Sequence, residues 1–568
     1  MSIAIDTSRA RVADWPRKLV LLFVASACIT VPYFAGWTAP FRYHDDDHRM
    51  RLVLVAVLFV VQLAGMAWVV RSRIELAPPT GRVAWLCLGA YTLLSVFVGA
   101  VILQGFPNSA DEWIFLFQAD TYARGRLWNA VPPDQETGLF FLIHIFMRDG
   151  KWIGQYPPGW PVVLLPFRLL HVPAWVANVF LGTALLAVTA RLATRLLPTT
   201  EAALATCAVA LTPFIVFNNG SYFSHQLPAV SGVLFVLATI RFQRAPSWSA
   251  SLAGGVCLGV IGIARYLDVL ALATPFFVVL AWQIVRKPRT LTPALGFGLG
   301  ALPFLLILFA YNQAVTGHAL LAVTKWGYPT QAIAKLGFGP DHPLGEAILR
   351  TLTRQFEFVE WTMPVLIALW GVAFVVRVVR GRATWIDWIY PSFLVWYALS
   401  GVRGGERYGP RYYLPAYPFV VLTIALAISD APTRGRWLRA GLVTCVPMAA
   451  ALGIGWAIFT QQMIWERRQM EIAIERAGLS QVVVIVPSSI GTARPMQYWD
   501  LARNDPDLAQ PVLFATDPVH YEFGAQTRLA TLFPDRAIWR YVWDRPSRQG
   551  RLEKLSEPTG AERRSEGR

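Results

Sequence analysis

The stretch RLVLVAVLFVVQLAGMAWVV, residues 51–70, carries no charged side chain after Arg51. An apolar run of about 20 residues is long enough to cross a bilayer as a helix. Similar runs recur along the chain, and we predict about thirteen membrane-spanning helices from them. They fall at residues 19–37, 51–70, 83–104, 172–190, 200–217, 226–241, 250–264, 268–285, 292–313, 362–379, 385–400, 412–429 and 439–460.

The composition favours a membrane protein over a soluble one. Of the 568 residues, 55% are hydrophobic and 15% are charged, and the mean hydropathy is +0.44. A soluble chain carries about 25% charged residues. The sequence therefore predicts an all-α polytopic membrane protein. Its first hydrophobic segment is followed directly by further spans, so we interpret it as an anchor and not as a cleaved signal peptide.

The distribution of Lys and Arg predicts the orientation, because cytoplasmic loops are rich in these residues. They cluster before the first span and then in alternate loops, at Arg71 and Arg73, Arg191 and Arg195, Arg241 and Arg244, and in 286–289, 377–382 and 434–439. With thirteen spans, this predicts a bacterial inner-membrane protein with a cytoplasmic N-terminus and a periplasmic C-terminus. The net charge of +16 then reflects topology, with anionic lipids as partners. Nucleic acid is not a predicted partner, because no basic and aromatic soluble module is present.

Long external stretches divide the chain into five predicted regions. These are N-terminal membrane helices at 1–103, a first external loop at 104–160, a membrane core at 161–460 with an external loop at 314–361, a small external α/β domain at 461–550, and a disordered tail at 551–568. The α/β prediction rests on strand-like QVVVIVP (481–487) and PVLFAT (511–516). We predict a helix between them, in MQYWDLARNDPDLAQ (496–510).

Neither cysteines nor acidic residues form a metal-ligand pattern. Cys28, Cys87, Cys207, Cys257 and Cys445 all fall within or at the ends of apolar runs, which is typical of buried thiols. The stretch HDDDHRM (44–50) is rich in ligand side chains, but adjacent residues cannot all point at one ion, and we interpret it as a solvated loop. We therefore predict no cofactor, and leave a divalent metal open as an alternative.

The first external loop contains NSADEWIFLFQADTYARGRLWN, residues 108–129. Apolar and polar residues interleave as in an amphipathic helix at a membrane surface. Ser109 can cap this helix, and Asp111 and Glu112 then occupy its first turn, where acidic residues are favourable. The two acids are thus either a helix-start signal or a pair with chemistry to perform. Further along, DGKWIGQYPPGWP (149–161) predicts a rigid corner that leads into a half-inserted helix at 160–170.

Together these features resemble the GT-C membrane glycosyltransferases, in particular their protein O-mannosyltransferase-like and aminoarabinose-transferase-like bacterial branch. The similarity includes the acidic pair, the amphipathic helix and the proline-rich corner. Four later motifs extend the resemblance over roughly 104–430: GSYFSHQLPA (220–229), GIARYLDVLALATP (262–275), YNQAVTGHALLAVTKWGYP (311–329) and GERYGPRYYLPAYPF (405–419).

The resemblance implies an inverting transferase with an active site on the periplasmic face. It would move a sugar from a polyprenyl-phosphate donor to an acceptor hydroxyl on a glycan, a lipid or a protein. Asp111 matches the family's first-loop aspartate, which serves as base or orients the nucleophile. A positioned carboxylate supplies general-base help worth ~10² to 10⁴ in rate. The chain carries no phosphate-loop signature, as expected for a donor that is not a nucleotide.

The chain departs from its aminoarabinose-transferase-like relatives at the corner, where they carry an acid and this chain has Gln155. We predict supporting roles for Glu112, Gln155 and Tyr156. A second carboxylate could come from Glu112, Asp120, Glu136 or Asp268, or Asp111 could work alone while Gln155 orients the substrate.

Cations should converge on the leaving phosphate. The predicted phosphate-binding residues are Arg265, Arg407, Arg411 and Lys325, with Arg403 in the same cluster. For Arg265 the alternative is an ion pair with Asp268. His225 is a weaker candidate, because a lone histidine is more often a hydrogen-bonded structural residue.

Two other functions compete with the transferase. A lipid-linked glycan ligase or polymerase would carry a late external loop rich in Arg and His, and 314–361 has this composition only weakly. A lipid or glycan transporter would show repeat symmetry and charges within corresponding spans, and the sequence shows neither.

Overall fold

The computed structural model describes residues 15–36, 45–72, 81–134, 138–140, 142–329, 336–402, 405, 407–432, 435–487, 503–517, 524–544 and 549–558. The chain divides into two compact units. We call Met1–Gly36, His48–Ile102 and Trp175–Ile458 the helical unit. We call Trp37–Asp47, Leu103–Ala174 and Phe459–Arg568 the mixed unit.

Within the described ranges, nine helices are long and apolar enough to span a membrane. The protein is therefore a mostly helical, multi-pass membrane protein. The nine helices are Trp15–Gly36, Asp45–Ser72, Gly81–Phe97 with a π-helical turn at Val98–Ile102, Val176–Leu196, Gln226–Arg244, Tyr266–Arg286, Leu291–Thr316 after a 3₁₀ turn at Pro288–Thr290, Tyr417–Asp430 after a 3₁₀ turn at Arg411–Ala416, and Arg436–Arg467.

The predicted count of thirteen is higher than the nine to eleven candidate spans in the part of the chain that the structure describes. The predicted span 200–217 is a bent pair, Thr199–Ala210 with Pro213–Gly220, bent by 55°. The predicted span 362–379 contains Leu366–Val379, which forms a second pair, bent by 113°, with Leu344–Trp361 from the predicted loop 314–361. The first break falls at Pro213, which has no N–H to continue a helix. Two others are the shorter helices Trp248–Ala264 and Ile389–Leu399. The apolar runs located these segments correctly but did not predict how long each helix is.

The centre of the helical unit is the helix Tyr417–Asp430. In its span, Arg411–Asp430, 83% of the residues are buried inside the protein, compared with 22% to 28% for the first three spans. Those first spans expose large apolar side chains such as Leu21 and Trp85, as helices at a lipid boundary do. A bilayer makes such exposure favourable, whereas water would not.

Glycines bring the helices Trp248–Ala264 and Leu291–Thr316 into backbone contact. A Cβ at Gly255 would lie 2.2 Å from the carbonyl oxygen of Phe297, and one at Gly300 would lie 2.4 Å from that of Leu252. Any larger residue would push the helices apart, as at other close helix crossings in membranes. The helix Tyr266–Arg286 connects the two and begins immediately after Arg265.

The stretch predicted to be the first external loop folds within the mixed unit as a helix, Ala110–Ala123, and a small antiparallel sheet. The strands are β1 (Asn129–Ala130), β2 (Ile145–Arg148) and β3 (Lys151–Gly154), in the order β1-β3-β2. A further helix, Gly159–Leu169, follows the proline-rich corner. The helix Ala110–Ala123 was predicted to lie amphipathically at a surface, but nine of its 14 residues are buried. Ala110, Ile114 and Phe117 form a core with Ile145 and Trp152 of the sheet.

The tail contributes a four-stranded mixed sheet to the same unit. Its strands are β4 (Val482–Pro487), β5 (Val512–Asp517), β6 (Ala537–Asp544) and β7 (Gln549–Ser556), in the order β5-β4-β6-β7. The first three are parallel, and β7 pairs antiparallel with β6. Two helices accompany the sheet, Gln469–Arg476 and Ala525–Leu532.

Two predictions for the tail need correction. Disorder was predicted from residue 551, yet β7 extends to Ser556 because its backbone pairs along β6. A helix was predicted at 496–510; residues 496–502 lie outside the described part of the chain, and 503–510 form turns. In those turns the Asp505 carboxylate accepts hydrogen bonds from the backbone N–H groups of Asp507 and Ala509, an arrangement that competes with a helix.

Candidate active site

The two adjacent acids of the first loop have different surroundings. Ser109 caps the helix Ala110–Ala123, with its Oγ accepting a hydrogen bond from the Glu112 N–H at 3.2 Å. The Glu112 carboxylate is fully buried and accepts bonds from the Asn108 N–H at 2.9 Å and from the Ser109 hydroxyl at 3.2 Å. This is a capping arrangement that satisfies the free N–H groups at a helix start. Glu112 thus stabilises the helix that carries Asp111.

Asp111 is the more accessible acid, with 20% of its side chain exposed. The Tyr156 hydroxyl donates a hydrogen bond to its Oδ1, and His144 Nε2 lies 3.9 Å from the same oxygen. A carboxylate held in one orientation and still reachable from outside can accept a proton from a substrate hydroxyl.

Tyr156 is itself fixed by the helix that bears Asp111. Its ring packs against that of Phe115 with centroids 4.4 Å apart, and its carbonyl accepts a bond from the Gln118 amide at 2.9 Å. The proline-rich corner therefore places the Tyr156 hydroxyl beside the first turn of the helix Ala110–Ala123.

The sequence interpretation missed His144, which follows none of the quoted motifs. It adopts a left-handed backbone conformation, with φ of +67°, immediately before β2. Its carbonyl accepts a bond from the Gln155 N–H at 2.9 Å, so the backbones of His144 and Gln155 lie side by side in the hairpin. The Gln155 side chain is buried. His144 lies 33 positions after Asp111, too far along the chain for a helix or strand periodicity to relate the two residues.

The alternative acids have other roles or fall outside the description. Asp120 forms a two-point ion pair with Arg168, at 2.6 and 2.9 Å. Glu136 lies outside the described residues. Asp268 belongs to the helical unit and is 1% exposed.

In the helical unit, Arg265 and Asp268 form the ion pair that was the alternative interpretation. Arg265 Nε donates to Asp268 Oδ2 at 2.9 Å, and its Nη2 donates to the Tyr397 hydroxyl at 3.0 Å. That hydroxyl in turn donates to Asp268 Oδ1. The guanidinium also lies over the ring of Tyr412, 4.8 Å from its centroid.

Arg411 joins Arg265 at the same ring. Its guanidinium lies 3.9 Å from the Phe223 ring centroid and 5.6 Å from that of Tyr412, and the residue is buried. We call Arg265, Arg411, Tyr412 and Phe223 the arginine–aromatic cluster. Cations stacked on aromatic faces keep N–H groups available at the guanidinium edge.

The other predicted phosphate ligands lie elsewhere or are less defined. Lys325, in the short helix Val323–Gly327, donates to the Pro329 carbonyl at 2.9 Å. Arg407 is half-buried in the turn before Arg411, and Arg403 lies outside the described residues. The structure thus brings two of the predicted cations, Arg265 and Arg411, to one place.

Among the described residues, no group of three or more His, Cys, Asp or Glu could hold a metal ion. The stretch HDDDHRM, interpreted as a solvated loop, instead begins a helix at Asp45.

Comparison with known proteins identifies the fold. No protein-family model matches the chain, and no curated protein matches it. Several solved structures do, among them ArnT from Cupriavidus metallidurans bound to undecaprenyl phosphate, with a TM-score of 0.51 and 12% identity over 81% of this chain and 94% of that chain. Another is the same protein in the apo state, with a TM-score of 0.52 and 13% identity over 81% and 93%. ArnT is a GT-C aminoarabinose transferase. The resemblance predicted from the sequence is therefore confirmed at the level of the fold.

Proposed function

We propose that this protein is an inverting glycosyltransferase of the GT-C type that transfers a sugar from a polyprenyl-phosphate donor to an acceptor hydroxyl. The observation that carries the proposal is the Asp111 carboxylate, oriented by the Tyr156 hydroxyl and partly exposed in a chain with the ArnT fold. The charge bias of the loops supports a periplasmic reaction at the bacterial inner membrane, with a cytoplasmic N-terminus and a periplasmic C-terminus.

Asp111 is the base in this proposal. As the acceptor oxygen attacks the anomeric carbon, its proton passes to the Asp111 carboxylate, and the bond from that carbon to the phosphate oxygen breaks. The electron pair leaves with the polyprenyl phosphate, and a single displacement inverts the configuration. Glu112 supports the base by holding the helix start, and the backbone of Gln155 supports it through the hairpin that presents His144.

Arg265 and Arg411 supply the phosphate-binding charge in this proposal. A phosphate diester becomes more negative as its bond to the sugar breaks, and guanidinium donors stabilise that developing charge. Arg265 is anchored by Asp268 and Tyr397, so its position costs little reorganisation when a phosphate binds. Arg407 and Lys325 remain proposed secondary contacts.

The test is a transfer assay on the full-length protein in membranes, with a panel of polyprenyl-phosphate sugars and wild type beside Asp111→Asn. We expect the Asn variant to lose about 10²- to 10⁴-fold in transfer rate while it binds donor normally. The matched control is Asp149→Asn, an exposed acid of the same unit, which should retain wild-type transfer. A folded Asp111→Asn protein with full activity would exclude Asp111 as the base. Absence of transfer from every donor would contradict the function.

A further inference from the structure

Among the residues of the helical unit whose burial the structure describes, two histidines are buried, and they differ in their hydrogen bonds. His342 is 4% exposed and has a partner on each ring nitrogen. Its Nε2 lies 2.9 Å from the Ala398 carbonyl oxygen, and its Nδ1 lies 3.1 Å from Arg350 Nη2. It is a satisfied structural histidine of the kind predicted for His225.

His225 is 2% exposed, and within the described part of the chain neither of its ring nitrogens has a hydrogen-bond partner. Within the described part of the chain, the prediction that His225 is a hydrogen-bonded structural histidine is therefore wrong. A buried polar group without a partner destabilises a fold, and such groups are rare in native proteins. A ligand that supplies the missing bond would explain why the residue is a histidine.

The surroundings of His225 specify what kind of ligand fits. Its ring lies 5.6 Å from that of Tyr412 and 5.9 Å from that of Phe223. These are the two rings on which the guanidiniums of Arg265 and Arg411 stack. Both arginines act electrostatically on His225. Asp268 balances the charge of one guanidinium, Arg265, so the two arginines leave a net positive charge, which repels a cationic ligand and attracts an anion with several oxygen atoms.

The backbone that carries His225 is held in place. The Asn178 side-chain amide donates to the carbonyls of Ser221 and Phe223, both at 2.8 Å, and the Asn218 amide donates to the carbonyl of Tyr408 at 3.0 Å. His225 is the last residue before the helix Gln226–Arg244. It is thus presented from a fixed segment, which favours a binding role because little ordering is needed.

We propose that His225 donates a hydrogen bond to a phosphate oxygen of the polyprenyl-phosphate ligand, as a third contact beside Arg265 and Arg411. An imidazole in either tautomer carries one N–H donor, which a phosphate oxygen can accept. This inference rests on the proposed function and adds to it a binding residue that interacts with both the donor and the released lipid phosphate.

A binding role and a structural role predict opposite effects of substitution. If the ligand is the missing partner, His225→Phe removes an unsatisfied polar group from the ligand-free protein, and its melting temperature should stay equal or rise. The affinity for undecaprenyl phosphate should fall by about 10- to 100-fold. His225→Gln keeps an N–H donor and should retain part of that affinity. The same substitution at His342 should lower the melting temperature and leave the affinity of the folded protein unchanged.

The experiment measures undecaprenyl phosphate binding and thermal unfolding of the purified full-length protein for wild type, His225→Phe, His225→Gln and His342→Phe. Donor KM and kcat are measured in parallel, and we expect the His225→Phe defect mainly in KM. If wild type transfers sugar but His225→Phe binds undecaprenyl phosphate equally well, the role of His225 is overturned and the proposed function stands. If His225→Phe melts lower and binds equally well, His225 is structural. If wild type neither binds the lipid phosphate nor transfers sugar, the proposed function and this inference are both overturned.

Discussion

Each unit contains an aspartate that accepts a hydrogen bond from a tyrosine hydroxyl. In the mixed unit Tyr156 donates to Asp111, and in the helical unit Tyr397 donates to Asp268. The pairs differ in access and charge. Asp268 is 1% exposed and bonded to Arg265, whereas Asp111 is 20% exposed with an imidazole 3.9 Å away. The same two residue types thus form a buried counter-ion site in one unit and an accessible carboxylate in the other.

The largest expected effect is a difference in the free energy of unfolding between variants of Asp268 and Asp111. Asp268→Asn leaves the Arg265 guanidinium buried without its counter-ion, and we expect a loss of about 3–5 kcal/mol in the free energy of unfolding. Asp111→Asn should change it by less than about 1 kcal/mol, because that side chain is partly solvated. Denaturant unfolding in detergent measures both. Equal stability of the two variants would contradict the assignment of Asp268 as a structural counter-ion.

A second prediction separates Asp111 from its neighbour Glu112. Replacing Glu112 with Ala removes the acceptor for the Asn108 N–H and the Ser109 hydroxyl, and we expect a loss of about 2 kcal/mol in the free energy of unfolding. Transfer by the folded protein should fall far less than in Asp111→Asn. Thermal unfolding and an assay normalised to folded protein report the two effects. A stable but inactive Glu112→Ala protein would show that Glu112 takes part in the reaction.

The third prediction compares the effects of removing the hydroxyl groups of Tyr156 and Tyr397. Tyr156→Phe releases the Asp111 carboxylate from its fixed orientation, and we expect kcat to fall about tenfold, which corresponds to ~1.4 kcal/mol in the barrier. Tyr397→Phe should act mainly on stability, because its hydroxyl bridges Arg265 and Asp268. Steady-state kinetics at saturating donor, together with melting temperatures, distinguish the patterns. The comparison fails if Tyr397→Phe lowers kcat more than Tyr156→Phe.

The smallest expected effect concerns an exposed carboxylate of the mixed unit. Hydrogen bonds from Arg126 and Arg124 hold the pKa of Asp507 below its ordinary value. A carboxyl whose pKa is lower in the folded state stabilises the fold above its unfolded pKa of about 3.9, and this contribution is lost as the pH falls through the folded pKa. Solvent screening limits it to less than about 1 kcal/mol.

The measurement for Asp507 is the difference in unfolding free energy between wild type and Asp507→Asn, followed from pH 7 down to about pH 3. The difference should shrink in acid, and also at high salt. A difference that grows as the pH falls would contradict the sign of the shift.

Much of the fold was predictable because apolar runs in a membrane protein are long and unmistakable. Each of the thirteen predicted segments contains helix, but their lengths depend on local breaks such as that at Pro213. The strand β7 was unpredictable for another reason: its sequence QGRLEKLS is polar, and it is ordered by pairing with β6, a partner that pattern alone does not reveal.

The candidate site was predictable where one motif carries it. Ser109, Asp111 and Glu112 lie within four residues, so capping geometry could be anticipated, and the proline-rich corner pointed to Tyr156. His144 was not anticipated, and His225 was predicted only as a weaker candidate for the phosphate site. Both histidines owe their proposed roles to contacts with residues distant in sequence. For His225 there is a second reason: among the described residues, neither of its ring nitrogens has a hydrogen-bond partner.

The left-handed backbone of His144 also determines which residues can occupy that position. At φ of +67° glycine is unstrained, asparagine and aspartate are tolerated, and branched side chains are penalised. The position therefore accepts small and polar replacements without refolding of the hairpin. Asparagine or aspartate at residue 144 would keep this backbone conformation, but its side chain is shorter than that of histidine, whose Nε2 lies 3.9 Å from Asp111 Oδ1. Such an exchange would therefore take the imidazole away from Asp111 while preserving the hairpin.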